Sequence, residues 1–319
     1  MSRIYEALQK AESERKVERT EREARTPEER EERLDAEHAP ASVAVEYERP
    51  LSPLTEPVDD LRLEDRFEGG GGLNLRAVKR YDWTPSIQRL PSLLERGPAV
   101  EQFRSLRSRV FEARDIKPIK SILVSSGLPQ EGKSFVSANL AVSLARHKNS
   151  KVLLIDGDMR RYTLHELFGA GSHPGLADYL SGKASLEEVM QRPSENTNFP
   201  DIERQVLANL TFIPGGNGGD KAADLSGNSR FAELLRVAAP HFDWIIIDSS
   251  PVIPVSDGVN LARSCDGVLL VARSGVTKYS VAQRAAAELR AANVLGFVLN
   301  AVHEDLEAGT YYSYNADKE

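Results

Sequence analysis

A mostly parallel α/β sheet with helices on both faces is the fold that the sequence predicts for residues 96–304. Three observations lead there. Short β-branched runs such as SILVSS, KVLLID, WIIID, GVLLVA and GFVLNAV alternate with helical segments. The runs are apolar throughout, as strands covered on both faces must be. A glycine-rich loop sits between the first of them and its following helix, where such sheets hold ligands.

Along the chain, the elements follow from composition. About half of residues 1–40 are charged with the signs interleaved, which leaves little to bury, so a solvated helix or disorder is expected. Only Ile4, Ala7, Leu8 and Ala11 form a short apolar stripe at helical spacing; a helix start or a docking peptide would both produce it. Prolines 40, 50, 53 and 57 and Gly69 to Gly72 describe an extended, then flexible linker. The rise in apolar density places a domain boundary near residue 95, with a charged region at 1–95, a folded domain at 96–304 and a flexible tail at 305–319. Within the domain, SFVSANLAVSLARH, FAELLRVAAP and TKYSVAQRAAAELRAAN read as the helices between strands.

The single cysteine, Cys265, reads as a small core residue in a reducing cytoplasm and cannot form an internal disulfide. No apolar run reaches the roughly 18 to 20 residues needed to span a bilayer, so membrane association is expected through a partner. A net charge of −7 disfavours nonspecific nucleic-acid binding.

The loop GLPQEGKS, Gly127 to Ser134, fits G-x-x-x-x-G-K-[ST] in a strand–loop–helix context. Its backbone N–H groups and the helix N-terminus favour phosphate, Lys133 reaches the β- and γ-phosphates, and Ser134 offers an oxygen to Mg²⁺. Gly127, Gln130, Glu131, Gly132, Lys133, Ser134 and Phe135 are the expected nucleotide-binding residues. The strand KVLLIDGD ends in Asp156 and Asp158, one able to face Mg²⁺ and the other a water or hydroxyl that must lose a proton. The strand DWIIID closes with Asp248, an acid placed to hold Mg²⁺ directly or through water. Asp257 reads as the cap of the helix that begins SDGVNLARS.

Together GLPQEGKS, LLIDGDMRR, FDWIIIDSSP, GVLLVARSGVT, GFVLNAV and the closing YYSYNADKE resemble the bacterial tyrosine kinases, a branch of the deviant-Walker P-loop ATPases. The resemblance spans residue 95 to the end. It includes Glu101, Arg104 and Arg107 in AVEQFRSLRSRVF, which match an E-x-x-R-x-x-R element that forms a ring contact in relatives. Two positions depart from relatives: Leu128 stands where partitioning ATPases carry a second lysine, and Ser250 replaces the first of two prolines usual after the strand-ending aspartate in the kinases.

What the resemblance implies is ATP-dependent autophosphorylation of Tyr311, Tyr312 and Tyr314, with Mg²⁺ among Ser134, Asp158 and Asp248 and with Asp156 accepting or orienting the tyrosine proton. Lys133, Asp156, Asp158 and Asp248 are thus the expected catalytic set. It also implies a cytoplasmic protein at the inner membrane face, self-assembly, and a membrane partner that sets polysaccharide chain length in capsule or exopolysaccharide export. Twelve residues separate Val302 from Tyr314, a reach of up to about 40 Å, so the tail could enter its own site or a neighbour's. Two other classes share these motifs: a positioning or secretion ATPase, indifferent to loss of the tail, and a noncatalytic nucleotide-binding scaffold, which would form no phosphotyrosine.

Overall fold

The computed structural model describes residues 73–148, 150–195 and 200–302. The apolar stripe at Ile4 to Ala11, the proline- and glycine-rich linker and the tyrosines 311, 312 and 314 lie outside the described residues.

Eight strands form one sheet in the order β1-β4-β5-β3-β6-β2-β7-β8. They are β1 (Lys79–Tyr81), β2 (Ser121–Ser126), β3 (Val152–Asp156), β4 (Gln191–Pro193), β5 (Leu210–Ile213), β6 (Trp244–Asp248), β7 (Gly267–Arg273) and β8 (Val294–Asn300). Every neighbouring pair is parallel except β4 with β5. The sheet predicted from the apolar runs is therefore present, and β8 runs parallel to β7.

Because side chains alternate across a strand, each central strand feeds two cores. Ile122, Val124, Val152, Leu154 and Ile246 face one core, which they share with α1 (Pro98–Ile116) and α2 (Lys133–Arg146). Leu123, Leu153, Ile155, Ile245 and Ile247 face the other. That second face carries α4 (Leu176–Leu180), α5 (Leu186–Val189), α7 (Ala222–Ser226), α8 (Ser229–Ala238), α9 (Asp257–Ala262) and α10 (Tyr279–Glu288). The short α3 (Leu164–Phe168) and α6 (Asp201–Ala208) complete the first face. Residues Val136 to Ala145 of α2 are all buried, as befits a helix pressed between the sheet and its neighbours.

The fold begins before the boundary expected near residue 95. β1 pairs with β4 at the sheet edge, and Trp83, Leu90 and Leu93 are buried in the first core. Trp83 packs edge-on against Phe212 with ring centroids 6.3 Å apart. No helix among the described residues is long and apolar enough to cross a membrane.

Candidate active site

Parallel topology brings the carboxyl ends of β2, β3, β6 and β8 to one edge of the sheet, and the polar residues of the motifs collect there. Asp156 closes β3 directly beside Asp248, which closes β6. Each continues the alternation that puts Val152, Leu154, Trp244 and Ile246 in the first core, so both carboxylates point to the side covered by α2. The loop after β2 leads into α2, whose first residue is Lys133.

The phosphate loop is a run of special backbone conformations. Gln130 has φ of 65° and Gly132 has φ of 95°. That φ at Gly132 is one that L side chains rarely adopt, and a Cβ there would in addition lie 1.9 Å from the Asn300 side-chain nitrogen and displace it. Asn300, at the end of β8, donates from that nitrogen to the Glu131 carbonyl at 3.0 Å. At the other end of the loop, a Cβ on Gly127 would approach Val281 of α10 at 3.0 Å.

Lys133 pairs with Asp158 at 3.2 Å, and both side chains are largely buried. Burial works against the Lys133 ammonium, but Asp248, Asp158 and Asp156 together outweigh it and its pKa is raised. Asp248 is pushed up to about 6, chiefly by burial, with Asp158 adding to the rise and Lys133 and the nearby Ser134 hydroxyl opposing it. Asp156 lies well above the usual carboxylate range because it is buried and faces Asp248 and Asp158. Backbone N–H groups of Leu164 and Asp158 donate to its two oxygens at 3.1 and 3.2 Å, which fixes its orientation.

One atom of this cluster lacks a partner. Asp248 Oδ1 is buried and accepts no hydrogen bond, a situation that costs free energy unless a cation or proton completes it. No three His, Cys, Asp or Glu side chains among the described residues form a ready metal cage. The oxygen donors present, the Asp158 and Asp248 carboxylates and the Ser134 hydroxyl, fit Mg²⁺, which is commonly held by one or two carboxylates together with substrate phosphates.

The structure thus brings Lys133, Ser134, Asp156, Asp158 and Asp248 together. Other expected site residues are turned elsewhere. The Glu131 carboxylate is engaged within the protein, accepting the Leu128 N–H at 2.7 Å and the Thr277 hydroxyl. Phe135 packs against Phe103 of α1, with centroids 5.7 Å apart, so only its backbone is left to face a phosphate. Asp257 is the first residue of α9 rather than its cap, and it binds Arg160 through two hydrogen bonds, the shorter 2.6 Å. Glu101 and Arg104 pair within α1, while Arg107 donates to the Ser143 carbonyl of α2 at 2.9 Å. Arg160, Thr277 and Asn300 escaped the sequence reading because their partners lie 97, 146 and 169 residues away and share no local pattern with them.

Residues 122–318 match the family described as the CobQ/CobB/MinD/ParA nucleotide binding domain. The chain is 34% identical over 218 residues to the tyrosine-protein kinase etk of Escherichia coli (strain K12), covering 68% of this chain and 28% of that one. It is 31% identical over 221 residues to the tyrosine-protein kinase YwqD of Bacillus subtilis (strain 168), covering 69% of this chain and 87% of that one. The solved kinase domain of Escherichia coli tyrosine kinase ETK superposes with a TM-score of 0.62 at 29% identity, covering 72% of this chain and 84% of that domain. The chain spans little more than a quarter of the length of several curated relatives, although it spans most of YwqD.

Proposed function

Since the chain belongs to the CobQ/CobB/MinD/ParA nucleotide-binding family and, within it, to the bacterial tyrosine kinases, we propose that it is an ATP-dependent protein-tyrosine autokinase acting on Tyr311, Tyr312 and Tyr314. The observation that carries this reading is the convergence of Lys133 with three acids, Asp156, Asp158 and Asp248, at the carboxyl edge of the sheet.

In this mechanism the loop N–H groups hold the phosphates of ATP, and Lys133 exchanges Asp158 for the β- and γ-phosphate oxygens. Ser134, Asp158 and Asp248 would hold Mg²⁺, whose charge offsets that of the phosphates; the unpartnered Asp248 oxygen favours this assignment. Asp156, held by two backbone donors, takes the proton of the attacking tyrosine hydroxyl as the new oxygen–phosphorus bond forms and the bond to ADP breaks. Its raised pKa makes it a stronger base than a free carboxylate. Positioning and charge neutralisation supply most of the rate in such a transfer.

β8 ends at this edge, next to the loop, and the tyrosines follow it in the sequence, which supports the tail as the acceptor. By analogy with its family the protein works at the inner membrane face with a membrane protein of capsule or exopolysaccharide export. Contacts between copies would involve the α1 face of Glu101, Arg104 and Arg107. Two or three phosphates would add about −1.5 to −2 charges each to the tail, enough to oppose its seating in a neighbour.

Phosphopeptide mapping of the tail after incubation with ATP and Mg²⁺, with the membrane partner supplied, tests this reading. Phosphotyrosine at Tyr311 to Tyr314 is expected in the wild type and not in Lys133→Met. Equal labelling of the two would sink it, and absence of labelling in both would favour an ATPase or a scaffold.

A further inference from the structure

We infer that Thr277 is a positioning residue for nucleotide binding: its hydroxyl holds the Glu131 carboxylate and thereby keeps the tip of the phosphate loop in its binding shape. The inference rests on the reading of residues 127–134 as the nucleotide phosphate site.

A carboxylate is an unwelcome group in an anion-binding loop. Glu131 lies between the two left-handed residues Gln130 and Gly132, is only 4% exposed, and forms no ion pair among the described residues. Its charge is instead absorbed by two donors. The Leu128 N–H binds Oε2 at 2.7 Å, and the Thr277 hydroxyl binds Oε1. The first bond bridges residues 128 and 131 and closes the loop around Gln130, a non-glycine residue held at positive φ. Such a conformation persists only where its surroundings over-determine it.

Thr277 is itself fixed from behind, since its oxygen accepts the Arg273 N–H at 2.8 Å. It precedes α10, whose Val281 and Ala285 flank Gly127 at the other end of the loop. One segment, residues 273–285, therefore supports the loop at both ends. Without the Thr277 hydroxyl, Glu131 Oε1 would be left buried without a donor. The carboxylate would then swing toward water or toward the phosphates, releasing Leu128 and admitting negative charge where anions must bind.

The test is titration of the full-length protein with N-methylanthraniloyl-ADP and Mg²⁺ by fluorescence. Thr277→Val, which replaces the hydroxyl by a methyl, is expected to weaken binding about tenfold, the scale of a lost hydrogen bond to a charged group. Thr277→Ser, which restores the donor, should bind within twofold of wild type. In a Glu131→Ala background, Thr277→Val should add no further loss, because the two residues act as one unit. Hydrogen exchange gives a second measurement that needs no nucleotide: the Leu128 amide should lose protection in Thr277→Val. Wild-type affinity in Thr277→Val, or equal losses with and without Glu131, would overturn the inference while leaving the nucleotide site intact. Failure of the wild type itself to bind would overturn the site reading and this inference with it.

Discussion

β2, β3 and β6 bury every residue they contain, whereas β8, at the end of the same sheet, leaves Phe297 and Leu299 52% and 60% exposed. The helices differ in the same way. α2 is buried continuously from Val136 to Ala145, while α10 buries only Ala285. Yet both regions touch the phosphate loop, α2 by continuing it and the β7–β8 side through Thr277, Val281 and Asn300. The candidate site thus has a largely buried root and a more exposed rim. The root holds the charged groups proposed to act in the chemistry, and the rim holds hydrogen bonds that reach the loop.

The largest effect expected falls on the root. Asp248→Asn should slow phosphorylation of the tail by on the order of 10²- to 10³-fold, as loss of one preorganised charge in a dry site does. The folded nucleotide-free protein should be no less stable, because the substitution removes a buried carboxylate with an unpartnered oxygen. Mass-spectrometric rates and melting curves read the two quantities separately. A variant that phosphorylates normally would remove Asp248 from the chemistry.

Leu140→Ala, in the buried middle of α2, tests the root as structure. It should cost about 2–5 kcal/mol in urea unfolding, the usual range for a cavity in a close-packed core. A cost below about 1 kcal/mol would mean that the centre of the sheet is looser than its complete burial suggests.

A smaller effect follows from protons. Asp248 has its pKa raised to about 6, from 3.8, by burial and by Asp158, against Lys133; Asp156 faces it and is raised as well. A carboxyl whose folded pKa exceeds its unfolded value binds its proton more tightly when folded, so its contribution to stability grows as pH falls through about 6 and levels off near 3.8. Without nucleotide or Mg²⁺, Asp248→Asn should therefore melt above wild type at pH 7.5, with the gap narrowing by roughly 5 °C at pH 5. A gap that stays constant with pH would show that Asp248 keeps an ordinary pKa.

The root was also the part legible in the sequence. Gly127 to Ser134, Asp156, Asp158 and Asp248 sit in short motifs whose spacing reflects local strand–loop–helix geometry, and the sheet brings them together wherever those elements pack. The rim was not legible, since the bond from Thr277 to Glu131 depends on how β7 and α10 dock and on nothing within either segment. Glu131 belongs to the right loop and Phe135 to the first turn of α2 that follows it, but motif membership does not say which way a side chain turns. Asp257 shows the same limit: a serine–aspartate pair before a helix reads as a cap, and only the tertiary approach of Arg160 reveals the ion pair. Trp83, Leu90 and Leu93 were missed for another reason. They are scattered among polar residues, so apolar density falls before the core does.

The smallest expected effect lies at the rim's outer surface, and it separates the two faces of β8. Phe297 and Leu299 stand in register with Leu270 and Ala272, whereas Asn300 stands in register with Arg273 on the opposite face. Leu299 is already mostly in water, so Leu299→Ser removes little buried area and should change unfolding free energy by no more than about 0.5 kcal/mol. Nucleotide affinity should stay within twofold, because the bond that reaches the loop leaves from Asn300. A loss of 2 kcal/mol or more would put β8 in the same cooperative core as β2 and β6. Weakened nucleotide binding at unchanged stability would instead show that the exposed face of β8 communicates with the loop across the strand.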